Sequence, residues 1–89
     1  MSGSGDLFDR ASAVASRADF LCFLEYLRAD RADNKGEWEN NDLGSFLAGL
    51  EGFCHDIDGY YLNAGEVVDV ETITWRMAAQ MLLAATVYE

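Results

Sequence analysis

The sequence predicts an all-α fold, a compact bundle of three to four helices. Three observations predict it. Apolar residues recur at spacings of three and four in each segment after residue 5, which marks one buried face of a helix. The 89 residues include no proline, the residue that most strongly breaks a helix interior. Residues able to cap a helix N-terminus stand just ahead of the apolar runs. A hydrophobic content of 51%, with 12% aromatic, supplies core material for a single domain near the lower end of the usual size range.

The opening Met-Ser-Gly-Ser-Gly is small and polar, so residues 1–5 read as a flexible leader and 6–89 as one helical domain. The first helix is expected over about 6–15, capped by Asp6, with Leu7, Phe8, Ala11, Val14 and Ala15 on its apolar side. The second is expected over about 16–33. Ser16 and Asp19 resemble a capping box, with Asp in place of the usual Glu. Phe20, Phe23, Leu24 and Leu27 then share a face, and Asn34 and Gly36 are stop residues.

The third helix is expected over about 41–63, capped by Asn40 or Asn41 and favoured by Asp42 at its positive end. Leu43, Phe46, Leu47, Leu50, Phe53, Cys54 and Ile57 form an apolar stripe that continues through Tyr61 and Ala64. Gly65 is placed to end the helix as its C′ residue. The rival is a stop at Gly59 followed by a turn or short hairpin. Gly44, Ser45, Ala48, Gly49 and Gly52 make a second, small-residue stripe. Helix-interior glycines cost about 1 kcal/mol each against alanine, so close approach of another backbone is expected to compensate, either inside the bundle, with the third helix between two others, or on a partner surface. The fourth helix is expected over about 73–88, capped by Thr72 or Thr74. Trp75, Ala78, Ala79, Leu82 and Ala85 line one side, Met77, Met81, Ala84 and Tyr88 the other. A helix apolar nearly all round is central to a bundle or joins an oligomer.

The cluster Glu37-Trp38-Glu39-Asn40-Asn41 has a structural explanation. The indole folds over the first turn of the third helix as a loose hydrophobic staple, with Phe46 a candidate contact. The acids favour the helix N-terminus and the asparagines cap it. The alternative is an exposed recognition patch, since tryptophan is a favoured binding hot spot.

The order "EWEN", an apolar helix, "YYLN", "TW" and a terminal "AATVYE" resembles a small bacterial domain family of unknown function with a W-E-N motif, over residues 18 to 89. Matched by position, the marked residues are Trp38, Glu39, Asn40, Tyr61, Asn63, Trp75, Tyr88 and Glu89. The family often has Pro or Ser before the second tryptophan; here Thr74 stands there, a conservative change for a cap. The resemblance implies a compact helical domain and no established activity.

Charge narrows the function classes. Sixteen acidic and six basic residues leave a net charge of −10. Such a chain repels nucleic acid and anionic lipid and attracts basic partners. No run approaches a membrane span, and no basic region precedes an apolar one near residue 1, so no secretory signal is expected. Cys22 and Cys54 read as free buried thiols of a cytoplasmic protein, a pairing between them remaining open. His55 is the only histidine, and its neighbours Cys54 and Asp56 point away from it on a helix, so no metal or nucleophile site is built there. Asp56-x-Asp58-Gly59 opens like a calcium loop, but Tyr61 and Val67 stand where one needs Gly and Glu. No catalytic, metal or cofactor residue is assigned.

The expectation is therefore a non-enzymatic, acidic protein-interaction module of immunity or antitoxin type that binds a basic partner protein. Glu37, Trp38, Glu39, Asn40, Tyr60, Tyr61 and Asn63 are its candidate contacts. The alternatives are a structural or regulatory homo-oligomer, a homodimer being the simplest, and a small-ligand binder built on Trp38, Tyr61, Asn63 and Trp75.

Overall fold

The computed structural model describes residues 4–33, 36, 38–40 and 42–88. It is all-helical over these residues, with five helices: α1 (Ser4–Ser12), α2 (Arg17–Asp33), α3 (Leu43–His55), α4 (Ile57–Asn63) and α5 (Trp75–Ala85). The radius of gyration is 12.6 Å, close to the roughly 12 Å of a compact chain of this length.

The start of α2 follows the expected capping box. Ser16 Oγ accepts from the Asp19 N–H at 3.1 Å, and Asp19 Oδ2 accepts in return from the Ala15 N–H at 3.1 Å. The shorter Asp reaches the residue before the cap rather than the cap itself. Helix α1 begins at Ser4, so Asp6 lies inside it and is not its cap, and Ser4 and Gly5 of the expected leader are helical.

The expected long third helix is interrupted once. Asp56, at φ −106° and ψ 9°, separates α3 from α4. Its N–H bonds the Phe53 carbonyl, three residues back, which tightens the last turn of α3. The chain resumes at once and runs past Gly59 to Asn63. There Gly65, at φ +78°, closes a Schellman motif, its N–H on the Leu62 carbonyl and that of Glu66 on the Tyr61 carbonyl. The cap of α3 is Asp42, not Asn40; Asn41 lies outside the described residues. Asp42 accepts from the Ser45 N–H and Ser45 hydroxyl, both at 2.9 Å, and these bonds hold its carboxyl below the usual aspartate range. Thr74 caps α5 as expected, accepting from the Met77 N–H.

Helix α5 is the central element, packed by α1, α2 and α3. Toward α1 and α2 it meets Leu7, Ala11, Val14, Phe23 and Leu27 through Ala79. Toward α3 and α4 it meets Phe53, Ile57 and Tyr61 through Met77. The link 64–74 is irregular, but Val68 and Val70 lean on this second core, and Asp69 organises a turn by accepting from Glu71 N–H and the Thr72 hydroxyl. The small-residue stripe of α3 is used in part. A Cβ on Gly49 would stand 2.6 Å from the Ala85 carbonyl oxygen, and one on Gly52 3.2 Å from the Tyr88 ring. Close backbone approach thus compensates Gly49, and Gly52 makes room for the Tyr88 ring rather than for a backbone, while Gly44 faces open space apart from an ordinary contact to Asp42.

The apolar stripe of α3 is only half covered. Phe53 and Ile57 are buried, but Leu43 is 72% exposed and Leu47 51%. Both cysteines are free and exposed, contrary to the expected burial. The stripe is wider than the strip α5 covers, so its flanks, Cys54 included, stay in solvent.

Candidate functional site

The W-E-N segment ties three elements together. Trp38 is half-buried; its Nε1–H donates to Asp30 Oδ2 at 2.8 Å and its ring stacks on Phe46, centroids 6.2 Å apart at 21°. The indole therefore joins the last turns of α2 to the first turn of α3, the staple expected from sequence. Asn40 is turned the other way. Its N–H donates to the Thr86 carbonyl at 2.9 Å, and its Nδ2 to the carbonyls of Ala85 at 2.9 Å and Tyr88 at 2.7 Å. The last carbonyls of a helix have no partner within it; Asn40 supplies three donors to that end of α5. Gly49 lies directly beneath, leaving room for the amide. Glu39 is exposed, and Glu37 lies outside the described residues.

Tyr60, Tyr61 and Asn63 differ in what they offer. Tyr61 is 1% exposed. Its hydroxyl donates to Gln80 Oε1 at 2.6 Å, and Gln80 Nε2 donates to Ser12 Oγ at 3.3 Å, so one chain of bonds, buried at Tyr61 and reaching the surface at Ser12, links α4, α5 and α1. Burial raises the Tyr61 pKa, partly opposed by the Arg76 guanidinium 5.8 Å from the ring centre. Tyr60 is half-buried, edge-on to Phe53 and Tyr61, and Asn63 is exposed. The four residues of the small-ligand alternative do not gather. Trp38 stacks on Phe46, Trp75 packs on Phe20, Tyr61 is enclosed with Gln80, and Asn63 is on the surface. Phe20 and Asp30, which hold the two tryptophans, are about 15 Å apart along α2.

What the structure does assemble is an acidic recess with aromatic walls. A depression of about 460 Å³ is lined by Asp56, Asp58, Gly59, Asn63, Phe53, Tyr60 and Tyr88. The break after α3 presents Asp56 here, where the Tyr88 hydroxyl donates to its Oδ2; that bond and the nearby negative charge raise the Tyr88 pKa. Asp58 accepts from the Gly59 N–H at 2.9 Å. Each carboxylate has about four acceptor sites, so neither is saturated by these bonds. His55 is an exposed neighbour of Glu51 at 3.9 Å and takes no part.

The surroundings sharpen the charge. Between Lys35 and Arg76 there is no lysine or arginine, while residues 36–75 hold nine acidic residues. Residues 1–35 are nearly balanced, with six acidic and five basic. Asp56, Asp58 and Tyr88 were not among the candidates from sequence; the cation-free run was the signal that could have found the two carboxylates. A wider depression of about 1040 Å³ by the α1–α2 turn and residues 68–78 carries Arg76 and is less suited to a cation. Arg76 there donates to Glu66 at 2.6 Å, which lowers the Glu66 pKa.

The model of a family of unknown function, DUF7660, matches residues 16–89, so the chain belongs to that family. No curated protein and no solved structure matches it.

Proposed function

We propose that this member of the DUF7660 family is a non-enzymatic, acidic interaction module that binds a basic partner protein in the cytoplasm, in the manner of an immunity protein or antitoxin. The observation that carries the reading is the recess where Asp56, Asp58, Tyr60 and Asn63, from the stretch that has no lysine or arginine, meet Tyr88. A lysine or arginine side chain entering it meets carboxylates for charge and aromatic rings for cation–π contact. The surrounding negative field steers a basic partner and speeds its association. Trp38 and Asn40 serve this role indirectly, by holding α3 against α2 and the end of α5. Glu39 is exposed and adds to the negative charge of the same stretch.

The test is affinity capture from the native cell with wild type and with the double variant Asp56→Asn/Asp58→Asn, followed by calorimetry on the purified pair. The expected result is a basic protein held by the wild type, released by salt, and bound at least about ten-fold more weakly by the variant. Equal binding by the variant, or binding indifferent to salt, overturns the reading. Exposed Leu43 and Leu47 on α3 favour a second reading, a homodimer; sedimentation as a monomer at micromolar concentration removes it.

A further inference from the structure

The acidic recess has an apolar neighbour. A cleft of about 470 Å³ lies over α5 between α1 and the α3–α4 side, within the size range of pockets that enclose a sizeable apolar group. Leu83 and Ala84 are among its α5 residues, and Phe8 and Val87, both about half exposed, also line it. Its lining includes no lysine or arginine, and its one carboxylate, Asp30, already accepts from the Trp38 indole. Phe53, Tyr60 and Tyr88 line both the cleft and the recess. These rings are locked edge to face, Phe53 to Tyr60 at 5.1 Å and Phe53 to Tyr88 at 5.6 Å. One aromatic wall thus has an apolar hollow and an acidic hollow beside it.

We infer that the partner docks an amphipathic helix here, with a bulky apolar side chain in the cleft and a lysine or arginine one turn away in the recess. The inference rests on the basic-partner reading and adds the shape of the contact segment. The shared wall supports a helix: both hollows border the same three rings, Phe53, Tyr60 and Tyr88, so the two entering side chains must leave one segment on the same side as close neighbours, as residues three or four apart on a helix do. Charge complementarity selects the sign of the polar residue, and the cleft selects an apolar anchor, the usual division in helix-in-groove recognition.

Three model peptides of equal length test this by calorimetry on the full chain: an amphipathic lysine–leucine helix, a lysine–serine peptide of the same charge, and a glutamate–leucine helix. The expected order is lysine–leucine at least about ten-fold tighter than lysine–serine, with no binding of glutamate–leucine. Ala84→Phe, which fills the cleft, should remove the leucine advantage and leave lysine–serine binding unchanged. Phe8→Ser, at an exposed position of the lining, gives the same readout should Ala84→Phe fail to fold. Asp56→Asn/Asp58→Asn should weaken both lysine peptides. Equal affinity for the two lysine peptides, or a leucine advantage that survives both cleft variants, overturns the amphipathic helix while leaving the basic-partner reading intact. Binding of neither lysine peptide overturns both.

Discussion

The two sides of α5 are built on different principles. Toward α1 and α2 the core is mostly aliphatic, with Leu7, Ala11, Val14, Leu27 and Ala79 around the single buried ring of Phe23, and Ala11 and Ala79 fully buried. The helices there are uninterrupted, and their charges nearly cancel over residues 1–35. Toward α3 and α4 the core is aromatic, the helix breaks at Asp56, and hydroxyl groups need partners: Tyr61 finds Gln80 and Tyr88 finds Asp56. The stretch 36–75, which contains α3 and α4, carries nine acidic residues and no lysine or arginine, an excess that adds self-repulsion. A side that stabilised the fold alone would gain from aliphatic packing and mixed charge, as the first side does. The second keeps Tyr60 and Tyr88 half in solvent beside unbalanced carboxylates, a composition that fits the interaction surface proposed above.

The largest expected effect tests how tightly the second side is assembled. Gly49→Ala places a Cβ 2.6 Å from both the Ala85 carbonyl oxygen and Asn40 Nδ2. Neither can yield without breaking the bonds that finish α5. The expected loss is about 3 kcal/mol, measured by urea unfolding. Ala11→Gly, in the first core, should cost only about 1 kcal/mol. Similar costs for the two would mean that both sides pack with the same tolerance, and the contrast would fail. Asn40→Ala should fall between them, near 2 kcal/mol, because carbonyls at the end of α5 lose their donors.

A middle-sized effect concerns the buried hydroxyl that bridges the sides. Tyr61→Phe leaves Gln80 Oε1 without its 2.6 Å donor and should cost about 1–2 kcal/mol. It should also change the response to alkali. Burial raises the Tyr61 pKa in the folded state, while the unfolded tyrosine releases its proton near its ordinary value of about 10. The folded state then binds more protons, so this contribution is complete below about pH 10 and is lost as pH rises through the folded pKa. Stability of the wild type should fall with rising pH in that window, and more gently in Tyr61→Phe. Some slope should survive in the variant, since the Tyr88 pKa is raised as well. Parallel alkaline curves for the two proteins would refute the assignment.

The first side was more legible in the sequence than the second, for physical reasons. Ser16 and Asp19 announce α2 because a capping box is local: its bonds form within three or four residues. Thr74 and Gly65 were readable for the same reason, as was the staple of Trp38 on Phe46. Asn40 was not. Its type fits a cap, but its partners lie 45 and 48 residues away, and no local pattern reports such a distance. Exposure of Cys54, Leu43 and Leu47 was equally hidden, since periodicity fixes which residues share a face and not how much of that face a neighbour covers. The recess combines α3, α4 and the chain after α5; only its lack of cations was written in one continuous stretch.

The smallest effects carry the opposite sign and separate stability from binding. Gly44 and Gly59 are helical, yet a Cβ on Gly44 meets only Asp42 Oδ1 at 3.4 Å and one on Gly59 meets nothing within 4 Å. Alanine at either should therefore stabilise the protein by about 0.5–1 kcal/mol, through helix propensity and a less flexible unfolded chain. The two differ in what the new methyl faces. Gly44 is exposed at the start of α3, whereas Gly59 lines the acidic recess. If that recess receives a partner's lysine or arginine, Gly59→Ala should unfold at higher urea and yet bind the partner more weakly, while Gly44→Ala gains stability with binding unchanged. A Gly59→Ala protein that is firmer and binds as well would mean that the open space beside Gly59 is merely unfilled surface.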